Sequence, residues 1–143
     1  MRPSHVLVPL DGSPLADEAL KHALAVFDCR VTVLNIVTPL DTGMSESGIL
    51  APDDSREAAA RKRAEHLIGR AKTEAEAVDR TVETVVKTGD PAETIVDYAE
   101  HHDVDHIVMG GHGGDQGELS RRLLRTVTTA VLGEVPVTVT VVR

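Results

Sequence analysis

Short runs of aliphatic residues alternate along this chain with longer stretches in which apolar residues return every three or four positions. The runs Val6-Leu7-Val8-Pro9-Leu10, Val31 to Val37, Val82 to Lys87, His106 to Met109 and Val137 to Val142 predict five strands. The first is apolar throughout, the pattern of a strand covered on both faces in a parallel sheet. Behind it Ser13 can cap and Pro14 can open a helix that runs to about Phe27, with Leu15, Ala19, Leu20, Ala23 and Leu24 on one face. Pro39 to about Asp53 reads as a loop. Ser55 to about Val78, rich in Ala, Glu and Arg, predicts a long exposed helix whose charges form a solvated face. The Gly89-Asp90-Pro91 turn opens a third helix, Ala92 to His101, and Leu119 to Leu132 predicts a fourth. Strands and helices alternating through short joints predict a parallel sheet clad by helices, with ligands bound at the carboxyl ends of strands where the winding reverses.

Composition narrows the picture. At 143 residues the chain is long enough for a core and short enough for one domain, 1–143. Aromatic residues are 1% of the total, so the core must be built from Val, Leu, Ile and Ala. Asp and Glu number 23 against 15 Lys and Arg, a net charge of −8 that disfavours nucleic acid as a partner. Lysine occurs only at 21, 62, 72 and 87, and this acidic, lysine-poor balance reads as an adaptation to high salt. A lone Cys29 excludes an internal disulfide and fits a reducing compartment. With no apolar run of membrane-spanning length and no signal-peptide core ahead of Asp11, a cytoplasmic protein without a membrane partner is expected.

The chemistry concentrates at strand ends. Strand four empties into Gly110-Gly111-His112-Gly113-Gly114-Asp115-Gln116-Gly117, five glycines in eight residues. Such a loop lets backbone N–H groups approach a phosphate, and the helix behind it adds partial positive charge. A surface loop rich in turn residues is the plainer alternative. Asp11 follows strand one, where it can accept a ribose hydroxyl or hold a metal ion beside phosphates, or simply satisfy backbone donors of an Asp-Gly-Ser turn.

Four segments in order, Val8-Pro9-Leu10-Asp11-Gly12-Ser13, Gly89-Asp90-Pro91, Met109-Gly110-Gly111-His112-Gly113 and Val135-Pro136-Val137 through Arg143, make the whole chain resemble the universal stress protein family. The resemblance implies a three-layer α/β/α sandwich of the adenine nucleotide α-hydrolase-like, Rossmann-like kind. Its sheet would hold five parallel strands in the order 3-2-1-4-5. It also implies homodimers, here through strand 137–142, and, in the nucleotide-binding branch, ATP. By matching position, Asp11 would hold the ribose with Pro9 beside it, Ile36 and Met109 would contact adenine, and Gly110, His112 and Gly113 would cradle phosphate, the loop closing at Thr126 and Val127.

The sequence departs from that branch at the phosphate end. Its pattern places nine residues between the second loop glycine and a Gly-Ser or Gly-Thr pair, whereas here residues 114 to 124, eleven in all, separate Gly113 from Arg125-Thr126. The extra residues fall in Gly114 to Glu118. Arg125 then either turns inward with Arg121 or Arg122 to pair with phosphates, or fills the cradle and weakens binding. Asp115 and Glu118 add negative charge near a triphosphate unless a cation such as magnesium screens them. Weak binding of ATP, ADP or AMP is the expectation.

Other chemistry is thin. His101, His102, Asp103, Asp105 and His106 form a run of metal-ligand types, but their spacing fits no zinc pattern and a helix C-terminus favours histidine, so a structural role is predicted. The chain lacks a P-loop, a dinucleotide fingerprint, a nucleophile elbow and the acidic and lysine positions of a phosphoacceptor receiver. No general base or nucleophile stands out. The reading is a stress-response binding or signalling module with a variant nucleotide site; the alternatives are an interaction protein of the same fold without nucleotide and a slow ATPase.

Overall fold

A computed structural model describes residues 2–38, 53–111 and 127–143. In chain order the elements are β1 (His5–Leu10), α1 (Pro14–Val26), β2 (Arg30–Val37), α2 (Asp53–Ala77), β3 (Glu83–Thr88), α3 (Pro91–His101), β4 (His106–Gly110), the helical residues 127–134, here α4, and β5 (Thr138–Val142). The five strands are all parallel and lie in the order β3-β2-β1-β4-β5.

Local chemistry starts and stops these elements. The Ser13 hydroxyl accepts the Ala16 N–H at 3.2 Å and Pro14 takes the first helical position of α1, where a missing N–H costs nothing. Asp90 does the same for α3, accepting the Glu93 N–H at 3.0 Å ahead of Pro91. The two-residue period of a strand divides the core. Val6, Val8, Leu10, Val31 and Val33 pack against Ala16, Leu20 and Ala23 of α1 and Ala71 and Ala75 of α2. On the other face Leu7, Leu34, Ile107 and Met109 pack against Ile95 and Ala99 of α3 and Val131 of α4.

Several sequence expectations need amendment, among them β3, which runs Glu83–Thr88 rather than from Val82 to Lys87, and β5, which starts at Thr138. α2 is not merely a solvated helix, because Ala60, Ala64, Ala71 and Ala75 form a buried stripe along it. Alanine carries too little apolar surface to stand out among the charges around it, yet its small side chain lets a helix approach a sheet closely. β4 runs one residue further than Met109, to Gly110, and α4 reaches residue 134 rather than Leu132. Residues 119–126 of the expected fourth helix, and the expected loop from Pro39 to residue 52, lie outside the described residues.

β1 sits at the centre, and its two sides differ. Its ladder with β2 runs through six register pairs from His5↔Arg30 to Leu10↔Asn35, whereas with β4 the recorded pairs are Val6↔His106 and Leu7↔Ile107. Pro9, near the end of β1, has no N–H to donate to a ladder. The winding reverses here, between β1 and β4, which is where an open parallel sheet offers a crevice.

Candidate functional site

That crevice is a cavity of about 330 Å3, large enough for a small ligand. β1 contributes Pro9 and Leu10, with Asp11 immediately beyond. β2 contributes Leu34, Asn35, Ile36 and Val37, β4 contributes Met109 and Gly110, and α4 contributes Val127 and Thr128. Ile36, Met109 and Val127 make an apolar side, and all three belong to or pack on the core behind α3 and α4. Pro91 and Ile95 of α3 extend it.

The turn between β1 and α1 is set by three residues. Asp11 Oδ1 accepts the Ser13 N–H at 2.9 Å, an Asx turn that holds the chain as it leaves the strand. Gly12 at φ 88° takes the left-handed conformation that a side chain resists. Oδ2 of Asp11 has no partner among the described residues, so the local role and a ligand role are compatible. Asn35, 5% exposed, donates from Nδ2 to the Leu10 carbonyl at 2.9 Å and so ties the rims of β1 and β2 together.

Pro9, Asp11, Ile36, Met109, Gly110 and Val127, the described members of the set matched by resemblance, all line this one cavity. His112, Gly113, Arg125 and Thr126, with the loop insertion at Gly114 to Glu118, lie outside the described residues. Gly110 and Gly111 both have packing reasons to be glycine. A Cβ on Gly110 would meet the Leu15 backbone at 2.8 Å, and one on Gly111 would meet Val141 Cγ1 at 2.9 Å. The Gly111 N–H donates to the Val142 carbonyl at 2.8 Å and closes the ladder between β4 and β5.

One wall was not legible as part of a site. Ala60, Arg63, Ala64 and Leu67 of α2 line the cavity, a spacing of three and four that puts them on one helical face. Leu67 reaches over the first turn, its Cδ2 lying 3.4 Å from where a Cβ of Gly12 would be. Asp11 and Arg63 are the charged side chains among the described lining residues.

The histidine run is at the other end of the sheet and is engaged there by the fold. His101 Nδ1 donates to the Asp97 carbonyl at 2.7 Å and His102 Nδ1 to Tyr98 at 3.0 Å, the His102 ring stacking on Tyr98 at 3.8 Å. Asp105 accepts the Ser4 N–H and hydroxyl at 2.9 and 2.8 Å; burial pushes its carboxyl upward, but the bonds from Ser4 and His5 outweigh this and leave it below the usual range. His106 Nε2 pairs with Thr140 Oγ1 at 2.8 Å beside the Phe27 ring. His5, 3% exposed, donates from Nδ1 to the His102 carbonyl at 3.0 Å and meets Thr32 Oγ1 at 2.8 Å with Nε2. A carbonyl only accepts, so Nδ1 carries the proton and Nε2 of the neutral ring accepts the hydroxyl.

The model of the universal stress protein family matches residues 3–143. The universal stress protein MJ0531 of Methanocaldococcus jannaschii is 30% identical over 148 aligned positions, spanning 96% of this chain and 81% of that protein. Among solved structures, the universal stress protein UspA from Lactobacillus plantarum is 26% identical and superposes with a TM-score of 0.81, covering 100% of this chain and 99% of its own. A family protein from Arabidopsis thaliana, solved with AMP bound, is 17% identical with a TM-score of 0.69 over 98% of this chain and 91% of its own, a likeness of fold.

Proposed function

Because the chain belongs to the universal stress protein family, we propose that its cavity takes an adenine nucleotide and that it works as a stress-response binding module rather than an enzyme. One observation carries this reading: Pro9, Asp11, Ile36, Met109, Gly110 and Val127 come from three strands, the turn after β1 and a helix and meet at a single cavity. Ile36, Met109 and Val127 offer apolar contact for a purine, and Asp11 Oδ2 offers an acceptor for a ribose hydroxyl. The Arabidopsis relative's AMP is consistent with a monophosphate as ligand. Magnesium, where it takes part, would arrive held by the phosphates, since Asp11 is the one carboxylate among the described lining residues.

By the match to the family pattern the loop insertion and Arg125 would fall at the triphosphate end, so AMP and ADP are expected to bind about as well as ATP, and all weakly. Titration calorimetry with adenosine, AMP, ADP and ATP tests this, after analysis of whatever nucleotide co-purifies. Tight ATP binding that Arg125→Ala abolishes would make Arg125 a phosphate ligand instead of an obstruction. Absence of binding by all four ligands would overturn the nucleotide reading.

A second reading, an interaction protein of this fold without nucleotide, draws support from Gly110 and Gly111, which packing alone requires to be glycine. In both readings the assembly is an isologous homodimer through strand 137–142. Support comes from β5 lying at the sheet edge with one face on Val135, Val137 and Val139 and the other on Val142 and Thr140. The single thiol fits a cytoplasmic setting and the net charge of −8 fits a salty one.

A further inference from the structure

We infer that Arg63, on the α2 wall of the cavity, is the residue that neutralises the ligand's phosphate and so makes the site prefer a nucleotide to its nucleoside. The inference rests on the adenine-nucleotide reading above. A phosphate monoester brought into this cavity meets a carboxylate at Asp11 on a protein of net charge −8, and both oppose its entry. Among the described lining residues one cation offsets them, Arg63. Its place on α2 is structurally determined: Ala60, Arg63, Ala64 and Leu67 share one face, with Ala60 and Ala64 buried and Arg63 exposed. The two alanines are buried, and Arg63 beside them is among the residues that line the cavity. A planar guanidinium offers two parallel N–H donors to phosphate oxygens. Arg63 has a partner of its own, and an arriving phosphate shares or displaces that contact. Nothing about the base or the ribose asks for a cation at this position, so the effect is confined to the phosphate.

The test compares AMP with adenosine, by calorimetry at low salt, on the full chain and on Arg63→Gln and Arg63→Lys. Arg63 is exposed, and thermal melts of each variant establish that the fold is kept. The expected result is that Arg63→Gln weakens AMP about tenfold and leaves adenosine unchanged, consistent with loss of one charged hydrogen bond. Arg63→Lys should recover part of the loss, and the AMP preference of the unmodified chain should shrink as salt is raised. Equal weakening of AMP and adenosine by Arg63→Gln would assign Arg63 to the cavity wall, and no change in either would remove it from the site; both outcomes overturn the inference while the nucleotide reading stands. If the unmodified chain binds neither AMP nor adenosine, the nucleotide reading fails and this inference fails with it.

Discussion

Gly110 lies so close to the first turn of α1 that a methyl group there would fall 2.8 Å from the Leu15 carbonyl carbon and 3.0 Å from the Ala16 nitrogen. Those atoms are backbone at a capped helix start and cannot swing aside. Gly110→Ala should therefore cost about 1–3 kcal/mol with or without ligand. Gly133, in α4, has nothing within 4 Å of its Cβ position, so Gly133→Ala should be neutral or stabilise by up to about 1 kcal/mol. Urea unfolding of the pair checks both; a harmless Gly110→Ala would mean that the helix start yields.

His5 and His106 predict how stability follows pH. Burial, reinforced at His5 by the Arg30 charge, pushes both rings below the ordinary histidine value of 6.5. The folded chain thus holds them neutral where the unfolded chain would protonate them. Their contribution is fully present above pH 6.5 and is lost as pH falls through the lowered folded values. The melting temperature should drop between pH 7 and 5, and His5→Gln should flatten part of that drop; an unchanged slope would assign the loss to other groups.

Glu74 carries the opposite sign. One carboxylate oxygen is buried with no partner among the described residues, and burial, then the nearby Asp17, raises its proton affinity above the ordinary 4.5. A raised folded value stabilises below the unfolded value and withdraws that stability as pH rises. Glu74→Gln should therefore gain up to about 1 kcal/mol at pH 7 and little near pH 4. Equal melts of the two proteins at pH 7 would count against it.

Salt and assembly can be measured together. With an acidic excess of 23 − 15 = 8, self-repulsion should weaken the folded state in dilute buffer. The melting temperature should keep rising with potassium chloride beyond about 0.1 M, where the Debye length is already about 10 Å. A flat profile would retire the high-salt adaptation. Sedimentation equilibrium at micromolar concentration in the same series should show a dimer, and a monomer throughout would remove strand 137–142 as an interface.

The fold was readable because β1 is apolar from Val6 to Leu10, β2 is mostly aliphatic, and the helix starts at Ser13-Pro14 and Asp90-Pro91 use unambiguous capping chemistry. Asp11 was readable for the same reason, since it follows the first strand, whereas Ile36 and Met109 came from matching position in the family resemblance. The α2 wall was not readable, since Ala60, Ala64 and Leu67 are spread among Arg, Glu and Lys, and a stripe of small side chains gives a weak hydrophobic period. Arg80 was equally hidden. It follows α2 and donates to the carbonyls of Leu24, Phe27 and Cys29 at 2.7–2.8 Å, a clamp that depends on where two distant segments end and leaves no local pattern.

The short ladder between β1 and β4 bears on how the chain comes off the ribosome. Val6 pairs with His106, 106 − 6 = 100 residues later, so the first strand made is among the last to gain its second neighbour. At about 5–20 residues per second, β1 waits about 5–20 s with one edge open. The face that carries Leu7 waits as well, because its partners in α3 and β4 are made late, whereas the face that carries Val6 and Val8 can pack on α1 as soon as that helix forms. Nascent chains arrested before His106 should be cut readily by protease and should engage hydrophobic-binding chaperones, while chains arrested well beyond Val142 should not.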